Sequence, residues 1–152
     1  MMGALGVVMP VVFRGSMHIK DAHCTLMYLG ESDQVHIDRR KVEAATERLR
    51  SQCSPILVPV QGVEVFGKGH MTVLILAETT LASYRKFLER ELRRDGIVSA
   101  SEYAYRPHVT INKHEVSSEP VLPWPNYFAP SYVWVDRPTL WWNDNSASDN
   151  VK

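Results

Sequence analysis

Two stretches of the chain place a histidine and a threonine two residues apart inside an apolar run: His23 and Thr25 in "AHCTLMYLG", and His108 and Thr110 in "PHVTI". On a β-strand, side chains at i and i+2 share a face, so each imidazole stands beside a hydroxyl. Cys24, Leu26, Val109 and Ile111 would turn to the other face. One face reads as core and the other as a site. Imidazole titrates near neutral pH, so two of them can take one proton and give another. Hydroxyls aimed into the same space can donate to the oxygens of an anion.

A third triplet, His70 and Thr72 in "HMTV", has the same spacing. Random placement of 6 His and 7 Thr among 152 residues gives roughly 0.3 such triplets, so three is an excess. Position separates them. His23 and His108 stand at matching places in two half-repeats, one before the first helix and one after the second. His70 follows the glycine turn "GKG" and is expected to be an ordinary strand-start residue. For any single histidine, hydrogen-bonded packing in a core is the simpler reading; the duplication and the shared Thr offset favour a site. Cys24, although adjacent to His23, is expected to point away from it and is not a candidate nucleophile.

The elements that must position these residues follow from periodicity. "ALGVVMPVVF" reads as a strand bent at Pro10, Gly15 and Ser16 as a turn, and "DAHCTLMYL" as a second strand closed by Gly30. Residues 38–50 carry Val42, Ala45 and Leu49 on one helical stripe, with Asp38 as N-cap. "PILVPVQGVEVF" and "HMTVLILA" read as a hairpin about Gly67 and Gly69. "TTLASYRKFLERELRRDG" is a helix with Leu81, Tyr84, Leu88 and Leu92 inward, capped by Thr79 or Thr80 and ended near Gly96. "YAYRPHVTI" is a strand, "SSEPVLPWPNYFAP" a proline-rich loop, and "SYVWVDRPTLWW" one or two closing strands. The order is β-β-α-β followed by β-α-β-β, an α+β fold with antiparallel sheets in a twofold-like repeat.

Composition limits the partners. The chain has 17 Lys plus Arg against 17 Asp plus Glu, with 45% hydrophobic residues. No global field draws it onto long DNA or an anionic membrane, and a small or short anionic ligand fits better. Two cysteines, Cys24 and Cys53, and no leader-like start suggest a reduced cytoplasmic setting. No zinc, P-loop or other cofactor motif is present. The expected organisation is one domain over 1–142 with a polar, disordered tail over 143–152.

"HCTLMYLG" and "HVTI" resemble the paired H-x-[ST]-hydrophobic motifs of the 2H phosphoesterases, which include the 2′-5′ RNA ligase-like proteins and related cyclic phosphodiesterases. The intervening order of elements is similar as well. The resemblance implies a two-lobed α+β fold with both motif strands in a central cleft. It implies His23 and His108 as general acid and base, Thr25 and Thr110 on the phosphate, and neither metal nor cofactor. Substrates would be a 2′,3′-cyclic phosphate RNA end, a 2′-5′ linkage or a cyclic (oligo)nucleotide, and a viral enzyme acting on a signalling nucleotide in a host cytoplasm is compatible with it. Lys113 stands near a position where some members keep a basic residue. Tyr28, Tyr105, Trp141 and Trp142 are candidates for stacking a base. The protein is expected to be monomeric. The competing expectations are a non-catalytic nucleotide-binding module of the same fold and a metal-dependent hydrolase.

Overall fold

A computed structural model describes residues 3–13, 19–101, 104–124 and 129–143. Among the described residues seven strands and two helices follow one another as β1 (Ala4–Val12), β2 (His23–Glu31), α1 (Arg39–Arg50), β3 (Ile56–Phe66), β4 (Met71–Leu76), α2 (Thr79–Arg93), β5 (His108–Lys113), β6 (Tyr132–Val135) and β7 (Thr139–Trp142). The turn expected at Gly15 and Ser16, part of the proline-rich loop (125–128) and the tail beyond Asn143 lie outside the described residues.

Every strand pairing is antiparallel, in the order β7-β1-β2-β5-β4-β3. The two halves, β7-β1-β2 and β5-β4-β3, meet at the β2–β5 contact and correspond strand for strand. β6 joins the first residues of β3 to the last of β1 and closes the ladder behind them. Closure removes the open edges that β1 and β3 would otherwise present.

Both helices lie on one face of the sheet, packed on each other, with α1 over β7 and α2 over β2. Val42, Ala45 and Leu49 of α1 and Leu81, Leu88 and Leu92 of α2 join Cys24, Leu26, Val109 and Ile111 in the core, each under a tenth exposed. The other sheet face is left for a cleft. Asp38 caps α1 by accepting from Arg40 N–H at 3.0 Å. The cap of α2 differs from expectation: Glu78 holds the N-cap position without a side-chain bond, and Thr79 and Thr80 fall inside the first turn. Thr80 turns its carbonyl to Ser83 Oγ instead. The β3–β4 hairpin turns through Gly67, Lys68 and Gly69, all at positive φ, where glycine costs least.

Candidate active site

The β2–β5 contact is one rung, Cys24 opposite Val109. In an antiparallel pair the residue numbers of partners have a constant sum, here 24 + 109 = 133, which puts His23 opposite Thr110 and Thr25 opposite His108. The two histidines are then diagonal neighbours about 7–8 Å apart at the backbone, with a threonine beside each. Cys24 and Val109, both 0% exposed, fix the rung from the core side.

Each motif strand carries an irregularity immediately after its threonine. Against β1, Val7 pairs with Met27 and Val8 with Thr25, so Leu26 is an extra residue; against β4, Thr72 pairs with Asn112 and Val73 with Thr110, so Ile111 is extra. Both are β-bulges, which sharpen local twist and re-aim neighbouring side chains. The hydrophobic fourth residue of H-x-T-hydrophobic is thus the bulged residue, turned into the core, in both copies.

Backbone carbonyls orient both rings in the same way. His23 Nδ1–H donates to Asp21 O at 2.8 Å, and His108 Nδ1–H donates to Arg106 O at 2.8 Å. A carbonyl only accepts, so Nδ1 keeps the proton and Nε2 is the atom available to exchange one. The two turns achieve this differently. Asp21 sits in the left-handed region at φ 56, while Pro107 restricts the backbone of Arg106 to extended conformations. In each case the residue before the histidine ties to the neighbouring strand: Val11 N–H to Ala22 O at 2.9 Å, Leu76 N–H to Pro107 O at 3.0 Å.

A cavity of about 480 Å³ opens over this rung and is lined by His23, Thr25, His108 and Thr110 together. That volume is in the range of small-ligand sites. Each ring also rests on an aromatic two strands outward, with centroids 4.8 Å apart for His23–Trp141 and 4.9 Å for His108–Phe66. The placement is symmetric: Pro10 faces His23 and Gly6 faces Trp141, four residues along β1; Ile75 faces His108 and Met71 faces Phe66, four residues along β4.

Lys113 also lines the cavity. Three other residues considered for substrate contact are placed elsewhere. Tyr105 lies under the sheet, its hydroxyl donating to Thr25 O at 3.3 Å and its ring beneath the Arg85 guanidinium; burial, and then the neighbouring Cys24, push its phenol well up. Tyr28 gives its hydroxyl to Glu31 Oε1 at 2.9 Å, outside the cavity. Trp142 packs against the core on the α1 side. Strand parity allows one of two consecutive tryptophans to face the cleft, and that one is Trp141. Lys20, Asp21, Asn112 and Phe66 also belong to the cleft or its walls and were not singled out from sequence. Cys24 is fully buried, and desolvation pushes its thiol up to about 12. Among the described residues no group of three or more His, Cys, Asp or Glu is placed to hold a metal ion. No described helix is long and apolar enough to cross a membrane.

A closed antiparallel sheet, helices on one face and paired His-x-Thr strands in a cleft on the other define a protein of 2H phosphoesterase architecture. A family model of the 2′-5′ RNA ligase superfamily matches residues 15–147, and the chain belongs to that superfamily. Among solved structures, it is similar to the MHV ns2 PDE domain (16% identity, 88% of this chain and 98% of that one, TM-score 0.55). It is also similar to E. coli LigT complexed with 3′-AMP (15%, 95% and 99%, TM-score 0.51) and to a structure described as a phosphoesterase (13%, 93% and 98%, TM-score 0.54). At these identities the likeness is one of fold. A search of curated proteins finds no match.

Proposed function

We propose that the protein is a metal-independent phosphodiesterase acting on a nucleotide or short RNA, with His23 and His108 as its general acid and base. The observation that carries this reading is the pair of Nδ1–H···O=C bonds, which leave both Nε2 atoms to one shared cavity. In the reaction one Nε2 takes the proton of the attacking oxygen, from water or a ribose hydroxyl. The other, protonated, delivers its proton to the leaving oxygen as the P–O bond breaks. Thr25 and Thr110, each beside the opposite histidine, donate to nonbridging oxygens that gain charge in the transition state. Membership of the superfamily and the phosphodiesterase and LigT neighbours support the class of reaction. The substrates that fit are 2′,3′-cyclic phosphates, 2′-5′ linkages and cyclic (oligo)nucleotides.

The test is incubation of the protein, in chelator, with 2′,3′-cyclic nucleotides, 2′-5′ oligoadenylates and cyclic di- and trinucleotides, identifying products by mass. Turnover that persists in chelator and is lost in His23→Ala and in His108→Ala, each with an unchanged circular dichroism spectrum, is the expected result. Turnover surviving in either variant overturns the assignment. Tight binding without any product replaces the enzyme by a nucleotide-binding module.

A further inference from the structure

The scaffold is symmetric about the β2–β5 rung, but the charges around it are not. At the His108 end, Arg106 is the nearby cation, and it is consumed: its guanidinium forks onto the Glu64 carboxylate, with Nη1–Oε1 at 2.7 Å, while lying over the Phe66 ring. At the His23 end two lysines line the cavity, Lys20 from the turn before β2 and Lys113 from the last position of β5. β5 runs antiparallel to β2, so its end approaches the start of β2 and brings both ammonium groups to one rim. Both residues are exposed, and neither is ion-paired with a described carboxylate. Among the described residues Asp21 is the one acidic residue lining the cavity, on the same turn as Lys20. Trp141, 38% exposed, completes this end, its indole packed against the His23 ring with the two planes 32° apart.

We infer that the His23 end of the cleft is a second anion subsite, in which Lys20 and Lys113 hold a phosphate other than the one being cleaved while Trp141 stacks the intervening base. The inference rests on the phosphodiesterase reading and narrows it. The favoured substrate carries at least two phosphates, one at the His-Thr rung and one at the lysine rim, and enters with fixed polarity because no other cation among the described residues lines the cavity. A mononucleoside 2′,3′-cyclic phosphate would leave the rim empty. Two ammonium groups opposite one phosphate, with a base on an exposed indole between, are how single-stranded nucleic acid is commonly held.

The test uses a 2′-5′-linked adenylyl dinucleotide without terminal phosphate and the same dinucleotide with a 5′- or a 3′-terminal phosphate, so that only the second anion differs. Affinity is read by calorimetry on His108→Ala, which keeps the ligands intact, and kcat/KM on the unmodified protein. One of the phosphorylated forms is expected to bind about tenfold tighter than the bare dinucleotide, with that ratio falling to about one when Lys20→Ala and Lys113→Ala are added. The subsite is overturned if neither phosphorylated form gains affinity, or if the gain survives the double substitution. A gain in affinity that depends on the lysines, with no turnover of any ligand by the unmodified protein, leaves the subsite standing and overturns the catalytic reading instead.

Discussion

The chain contains three His-x-Thr triplets and uses them in two ways. At the β2–β5 rung, Thr25 and Thr110 are part-exposed in a cavity, and each histidine spends Nδ1–H on a carbonyl two residues back. At β4, Thr72 is 0% exposed and its hydroxyl is fully committed: it accepts from Val121 N–H at 2.8 Å and donates to His114 Nε2 at 2.7 Å. The direction follows because His114 Nδ1–H is needed for Glu115 O at 2.7 Å. His70 bonds the carbonyl of His114, across the strand end, rather than a carbonyl of its own turn. The same His-x-Thr spacing thus yields a cavity-lining pair in one place and a loop anchor in the other. What decides is what lies over the threonine: Thr25 and Thr110 face the open cavity, whereas Thr72 faces the segment that follows β5.

The contrast breaks most sharply under loss of imidazole. His23→Ala or His108→Ala is expected to lower kcat by about 10²–10⁴, whereas His70→Ala should stay within about threefold of the unmodified rate. A comparable loss in His70→Ala would mean the third triplet is part of the site. Threonine separates the same regions with a smaller effect and opposite readouts. Thr25→Val or Thr110→Val should cost about 10² in kcat with little change in melting temperature. Thr72→Val strands the Val121 N–H and should cost about 1–3 kcal/mol of stability, read by urea denaturation, with kcat nearly intact. Equal melting temperatures for Thr72→Val and the unmodified protein would remove its anchoring role.

Consecutive tryptophans sharpen the comparison between cleft and core. Trp141→Ala is expected to raise KM by the equivalent of about 1–3 kcal/mol of lost stacking, with Trp141→Phe recovering part of it. Trp142→Ala should instead lower stability by about 3 kcal/mol at most, since its side chain is only partly buried, and leave KM alone. Reversed outcomes would mean that the strand parity of β7 is wrong.

What the sequence disclosed and what it hid divide along physical lines. The strands, both helices and the pairing of the motifs were legible because hydrophobic period and a repeated i, i+2 polar pair are properties of single segments. The bulges were not: Leu26 and Met27 are adjacent and both buried, a pattern that equally suits a fully buried strand, so the extra residue shows only when β1 sets the register. The carbonyls that orient the rings are backbone atoms without residue identity, and only Pro107 hinted at one of them. Choosing Trp141 over Trp142 required knowing which strand β7 pairs with, and Gly6 of β1 is 135 residues away from its partner Trp141. The start of α2 one residue after Glu78 went unseen because two good N-cap residues, Thr79 and Thr80, follow it directly.

The smallest expected effect concerns the residue between His23 and Thr25. Cys24 is shut into the core beneath the rung, and burial pushes its thiol up from 9.0 to about 12, against the lowering effect of its hydrogen bonds with Tyr105 and the His108 backbone. Below pH 9 the thiol is protonated in both folded and unfolded chains and contributes no pH dependence. Between pH 9 and about 12 the unfolded chain loses the proton and the folded one keeps it, so stability falls as pH rises through that window, by about 1.4 kcal/mol per unit at most. The buried phenol of Tyr105 shifts in the same direction and adds to the slope. Denaturation curves between pH 8 and 10.5 should therefore decline more steeply for the unmodified protein than for Cys24→Ala. The native thiol should also resist alkylation at pH 8 until urea unfolds the chain. Rapid native labelling at Cys24 would mean that the rung opens to solvent, and the separation of a cavity-lining face from a sealed one would fail with it.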